Sequence, residues 1–239
     1  MSLPVDTSAT VLPAAATTQP APMPAFPTAE GFGAQAVGGR GGRIIYVSKL
    51  TDTGEPGTLR YALEALGPRL VLFRVSGSIR LQHDISINSP FLTVAGQSAP
   101  GEGVQIRGGM IQIRTHDVVL RYLKMRPGDE PAARERYCDN TCRNPVEVDG
   151  IKDRDVYNVI LDHCTMIWGP DTGGPEITAN SHHITIQWSI LGEGLFFSNH
   201  AEGVAPWGHS KGVRISQMKP QYSDKWPQYI TLHHNLITT

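Results

Sequence analysis

The sequence predicts an all-β chain wound as a single-stranded solenoid, a parallel β-helix, and three observations predict it. From Arg43 onward, short segments rich in β-branched residues alternate with Gly, Pro, Asn and Asp. Four segments repeat one apolar pattern: DVVLRYLKM (117–125), NVILDHCTM (158–166), HITIQWSIL (183–191) and YITLHHNLI (229–237). Their equivalent positions Val118, Val159, Ile184 and Ile230 lie 41, 25 and 46 residues apart, and Leu92 of FLTVAG precedes Val118 by 26. An interval in the mid-twenties suits one turn of a coil; the longer intervals suit a turn carrying a loop insertion, or two turns. A β-sandwich also has many short strands, but nothing in it holds one pattern at a near-fixed period. A stacked coil does, because like side chains lie over one another from turn to turn.

The elements follow in order. Residues 1–24 are rich in Ala, Thr and Pro with almost no charge, and read as a disordered leader or linker. This stretch lacks both a basic start and a continuous apolar run, so it is not an intact signal peptide. Residues 25–239 form the β-helix domain. GGRGG (38–42) reads as a flexible loop; it lacks the trailing Lys-Ser/Thr of a phosphate loop. RIIYVSKL (43–50) is the first strand. PGTLRYALEAL (56–66) predicts a short helix near 57–66, with Gly57 or Thr58 as cap and Leu59, Ala62, Leu63 and Leu66 on one face. RLVLFRVSGSIRL (69–81), FLTVAG (91–96) and MIQIR (110–114) continue the strands.

Composition narrows the function. The 239 residues carry a net charge of −1 and no block of Lys or Arg, which argues against nucleic acid as the main partner. No apolar run approaches the ~20 residues that cross a bilayer. Three cysteines are too few to fix the redox compartment. A short-loop disulfide between Cys138 and Cys142, with Cys164 free and buried, is the simplest arrangement; a zinc site lacks a second cysteine pair.

The chemistry lies in the carboxylates. In VEVDG, Glu147 and Asp149 are two apart and share one side of a strand. Glu176 opens EITANSHHITI seven residues before His183, and Asp149 stands nine before Asn158, which predicts that Asp149 and Glu176 lie on adjacent turns of one sheet. Asp171, in the GPDTGGP turn, folds back over that face. Carboxylates so placed repel unless a cation sits among them, and oxygen ligands suit Ca²⁺. Ordinary turn and solvent-face carboxylates remain the competing reading. His163, His182, His183, His233 and His234 read as stacking residues, Trp168 and Trp188 as packing, and Asn235 as part of an internal amide ladder.

Eight segments in order carry a family likeness: AFPTAEGFG (25–33) followed by GGRGG, PGTLRYALE (56–64), FRVSGSIRL (73–81), LTVAGQSAPGEGVQI (92–106), VVLRYLKMRPGD (118–129), NVILDHCTMIWGPD (158–171), ITIQWSIL-GEGL (184–195) and LHHN (232–235). Together they resemble the pectate lyases of polysaccharide lyase family one. The resemblance implies a right-handed coil and Ca²⁺-dependent cleavage of polygalacturonate by β-elimination, in a secreted protein that is monomeric when full length. It implies Asp149, Asp171 and Glu176 as calcium ligands, with Glu147 as an additional one. It implies a catalytic arginine several residues after the HHN strand, beyond Thr239, so the chain reads as an inactive fragment truncated at its C-terminus. Lys211 or Arg214, in HSKGVRIS, takes the substrate-gripping role. A catalytically inert β-helix that binds acidic polysaccharide is the alternative. A hydrolase ranks last, because no cluster of adjacent aspartates is present.

Overall fold

The computed structural model describes residues 23–129, 144–196, 198, 211–216 and 225–238. The chain winds through three sheets in rotation, and every strand pair within them is parallel. The first sheet contains Arg43–Val47, Arg69–Phe73, Leu92–Ala95, Val118–Arg121, Val156–Asp162, Ser181–Gln187 and Gln228–His233. The second contains Gly77–Arg80, Val104–Arg107, Lys124–Met125, Thr165–Ile167, Ile190–Gly192 and Leu236–Ile237. The third contains Ile85–Ile87, Ile111–Ile113, Val146–Val148, Glu176–Ile177 and Arg214–Ile215. This is the parallel β-helix that the repeats predict. No helix among the described residues is long and apolar enough to cross a membrane.

The register matches the sequence repeat residue for residue. Leu92, Val118, Val159, Ile184 and Ile230 pair in one row, so both long intervals are single turns with loop insertions. The inward row Val71, Val94, Leu120, Leu161 and Ile186 is fully buried, and Leu232 extends it. Burying each such side chain contributes about 1.5–3 kcal/mol.

The helix spans Leu59–Glu64, shorter than predicted. Thr58 caps its start, accepting from the Tyr61 amide, and Leu59, Ala62 and Leu63 enter the core. Leu66 does not: Ala65 turns extended, the helix stops, and Leu66 faces solvent. Arg69 closes that end from inside. Its buried guanidinium donates to the carbonyls of Ala62, Leu63, Gly67, Ser89 and Pro90. Burial, with the nearby charge of Arg43, lowers its pKa to about 10. A cation on the last helical carbonyls also complements the helix dipole.

At both ends of the first-sheet strands, rows of residues adopt positive φ. Phe91, Asp117, Asn158, His183 and Tyr229 form one row; Tyr122, His163, Trp188 and His234 form the other. Asn and Asp tolerate that region; an aromatic side chain there is uncommon and holds its place through its neighbours. The rings of the second row stack, with Tyr122 4.6 Å from His163 and Trp188 4.2 Å from His234. His182 stacks on Tyr157 and His183 packs against Tyr229, so these histidines are stacking residues as the pattern predicts. Asn235 bonds to the preceding turn through backbone groups, not through another amide side chain: Oδ1 accepts from the Ser189 amide and Nδ2 donates to the Ile186 carbonyl. Cys164 is free and buried, and burial raises its thiol pKa to about 12. Cys138, Cys142 and residues 1–22 lie outside the described residues.

Residues 24–42 cross the outer face of the first sheet as a strap. The strap's backbone bonds to side chains that point outward from the sheet: Gly33 N–H donates to Thr185 Oγ1, Phe32 N–H to Thr231 Oγ1, and Gly39 N–H to Thr93 Oγ1. Ala36 packs on Val119 and Ile160 in a small second core, with Phe26 beside it. The run GGRGG is therefore no free loop: a Cβ at Gly39 would stand 1.9 Å from the Arg69 carbonyl oxygen, and only glycine lets the strap lie so close. Thr185 holds the strap twice, since its hydroxyl also donates to the Glu30 carbonyl. Thr185→Val keeps the shape and leaves the buried Gly33 amide without its acceptor. We expect thermal melts to show a loss of about 1–3 kcal/mol, with new proteolytic cleavage within residues 24–42.

Candidate functional site

The third sheet presents the chemistry. Strand alternation turns Val146 and Val148 inward and Glu147 outward, and parallel pairing lays outward positions of successive turns in a file: Ser86, Gln112, Glu147, Glu176 and Arg214. The file is linked by hydrogen bonds. Ser86 Oγ donates to Gln112 Oε1 (3.0 Å), and Gln112 Nε2 donates to Glu147 Oε2 (3.1 Å). Arg214 Nε lies 3.2 Å from Glu176 Oε1, and its Nη1 lies 3.7 Å from Asp171 Oδ2.

These carboxylates are buried although they lie outside the coil: Asp171 is 1% exposed, Glu176 2%, Asp149 6% and Glu147 9%. Asn144 ties the wall to the turn that follows Asp171, donating to Glu176 Oε2 (2.7 Å) and accepting from the Thr172 amide (3.0 Å). Burial is the main cause of the wall's unusual acidity. It pushes the Glu147 carboxyl up to about 7, helped by the charges of Asp149 and Glu176 and opposed by Gln112 and Arg114. Burial also raises Glu176, helped by Asp171 and opposed by Arg214, Asn144 and Ser216. Asp149 sits between two guanidinium groups, with Arg114 Nε at 2.7 Å and Arg154 Nη2 at 2.8 Å.

The structure alters the predicted neighbours. Glu176 pairs in register with Glu147, not Asp149. The turn from Val148 to Val156 advances eight residues, whereas that from Ile177 to Ser181 advances four. The extra residues hold the Ile151–Arg154 bridge, so counting back from Asn158 lands on the wrong carboxylate. Asp149 follows one residue after the Val146–Val148 strand, on the turn adjacent to Glu176 as predicted, and Asp171 reaches Glu176 through Arg214. Lys211 is exposed, and its carbonyl accepts from the Gly174 amide at the edge of the wall. Sequence reasoning did not single out Arg114, Arg154, Asn144 or Gln112. Arg114 was legible: it stands two after Gln112 on the outward face of MIQIR, one turn before Asp149.

As they stand, no three His, Cys, Asp or Glu side chains among the described residues are grouped as a metal cage. The chemistry of the donor set does fit a hard cation: four carboxylates and one amide oxygen, no sulfur and no imidazole. Three arginines now offset the charge such an ion would neutralise. Elsewhere, the first sheet carries a separate outward file under the strap. There Asp162 accepts from Arg121 Nε (2.7 Å) and Gln187 Nε2 (2.7 Å).

No family model matches the chain. A protein of Emericella nidulans named "Probable pectate lyase C" is 38% identical over 172 residues, which are 72% of this chain and 37% of that one. An Arabidopsis thaliana protein named "Probable pectate lyase 18" is 30% identical over 173 residues, 65% of this chain and 41% of that one. Among solved structures, the major allergen of cedar pollen, Jun a 1, matches with a TM-score of 0.51 at 18% identity. The match covers 67% of this chain and 48% of that one, and supports the fold alone. The chain thus spans 37% of the length of the first curated relative it matches.

The acidity of Glu147 sets a pH dependence. An unfolded glutamate releases its proton near 4.5, but this folded one keeps it until about 7. Between those values the folded state binds the extra proton, so stability falls as pH rises. In chelator, melting temperature should drop from pH 4.5 to 7, and Glu147→Gln should flatten that slope. An unchanged slope in the variant would assign the dependence to another group.

Proposed function

The chain is a homologue of the pectate lyases, and from that premise we propose that it acts as a calcium-dependent lyase on polygalacturonate, cleaving by β-elimination. One observation supports this reading above the others. Two successive turns set Glu147 beside Glu176 on one buried wall, with Asp149 and Asp171 at its margins. Glu147, Asp149, Asp171 and Glu176 are the side chains that would hold Ca²⁺. When bound, the ion would neutralise the substrate's uronate carboxylate and acidify the proton alpha to it.

The chain's own residues do the rest. Arg214 and Lys211 grip the anionic polymer at the wall's edge. Each of their positive charges also opposes the negative charge that develops as the proton leaves. Arg114, Arg154 and Arg214 are each held by a carboxylate, which keeps a guanidinium charged. Proton abstraction is therefore assigned to none of the three, and the base that takes the proton lies outside the described residues. Asn144 orients the Glu176 carboxylate and binds the backbone after Asp171, so one side chain fixes two of the proposed ligands. An extracellular location and a monomeric state follow from the same reading.

The test is the ultraviolet absorbance of an unsaturated uronate product, with polygalacturonate as substrate, with calcium and then with chelator. Activity should require calcium. Glu176→Gln and Asp171→Asn should each lower it on the order of 100-fold. Activity that survives chelation would overturn the metal assignment. Calcium-dependent retention on polygalacturonate without product would instead favour an inert polysaccharide-binding coil.

A further inference from the structure

The column of rings between the first and second sheets has one bare end. Tyr122, His163, Trp188 and His234 occupy the same corner on four successive turns. Each ring lies roughly parallel to the next, within 17°. One turn before Tyr122, the equivalent position is Gly96, which has no side chain to continue the stack. Tyr122 is 39% exposed. A cavity of about 260 Å³ opens at this point, lined by Gly96, Gln97, Tyr122, Leu123, Lys124 and Thr165 among others.

The lining suits an amphipathic ring. The Tyr122 ring supplies apolar surface, while Gln97, Lys124 and Thr165 supply hydrogen-bonding groups. Among the described residues Lys124 Nζ donates once, to the Glu102 carbonyl at 2.6 Å, and an ammonium carries three donors. Its charge therefore stands at the rim with hydrogen-bonding capacity to spare. Arg121 bonds to Asp162 on the following turn, with its guanidinium 3.7 Å from the Phe26 ring and 5.3 Å from the Tyr122 ring. A pyranose ring has a C–H face that packs on an aromatic ring and an edge of hydroxyls. A hexuronate adds a carboxylate for Lys124.

We propose that this corner is a second polysaccharide-binding site, in which a hexuronate unit takes the missing place in the ring column, stacked on Tyr122 with its carboxylate at Lys124. The corner joins the first and second sheets, across the coil from the carboxylate wall of the third, so one polymer unit held here leaves the wall open to another. The ligand class rests on the lyase reading above; the site itself needs neither calcium nor turnover.

The experiment is saturation-transfer NMR of a galacturonate trisaccharide with the full chain in chelator, alongside a neutral galactose trisaccharide. Saturable binding is expected, stronger for the uronate. Tyr122→Asn removes the ring and keeps a residue that tolerates positive φ; it should weaken binding roughly tenfold. Lys124→Gln should erase the preference for the uronate. Both variants should melt within a degree or two of wild type. Glu176→Gln should bind the trisaccharide as wild type does. No saturable binding, unchanged binding in both corner variants, or binding lost in Glu176→Gln would each overturn the proposal. Corner binding without lyase product would sink the catalytic reading and leave this site standing. Lyase product with unaltered binding by Tyr122→Asn would do the reverse.

Discussion

Every part of this molecule depends on parallel, in-register stacking of one turn on the next. Strands about 4.8 Å apart place each side chain directly beside the same position of the adjacent turn. A single choice is therefore repeated along the coil. Inside, it makes the apolar row from Val71 to Leu232. At the tight corner after the first sheet, it lets side chains serve neighbouring amides: Ser189 Oγ accepts from the Cys164 amide, and Asn235 Oδ1 accepts from the Ser189 amide. Buried backbone groups need such partners wherever the sheet ladder is interrupted.

The same rule acts on charge on the outer face of the third sheet. Stacking Glu147 on Glu176 puts like charges on adjacent strands, an arrangement unfavourable in water and worse when buried. The chain answers it with Arg114, Arg154 and Arg214, and with Gln112 and Asn144 as neutral donors. Burial still holds the pKa values of Glu147 and Glu176 above the ordinary range, with the neighbouring carboxylates adding to it. A wall rich in carboxylate oxygens, held rigid by the coil beneath it, offers the donor chemistry that suits a hard cation.

Two outer faces and one corner are finished in different ways. The first sheet is sealed by the strap, whose backbone amides meet Thr93, Thr185 and Thr231, so a loop segment supplies a second small core without adding strands. The third carries the carboxylates. The corner between the first and second sheets carries the rings, in backbone conformations that isolated aromatic residues seldom adopt. One constraint on register thus produces a packed surface, an electrostatic surface and an aromatic surface on one coil.

By itself, the sequence determined the coil, its register and the identity of its stacked residues. Leu92, Val118, Val159, Ile184 and Ile230 are legible as one row because a solenoid demands like residues at like positions, and Thr58 marks a helix start through its own side chain. It also pointed to Glu147, Asp149, Asp171 and Glu176 as a group, and all four are buried in the fold. Only the tertiary structure decided which of them are neighbours. Strand positions are locked by pairing, but turn lengths are free to vary. Four extra residues between Val148 and Val156 make Glu147, not Asp149, the partner of Glu176. Leu66 escaped the helix face, and GGRGG became a close contact, for a related reason: where a segment ends, and what lies beneath it, depends on residues distant in the chain. Of the arginines that hold Asp149, Arg114 could be read from the outward pattern of MIQIR, whereas Arg154 reaches it across a turn, and reach of that kind is a property of the folded coil.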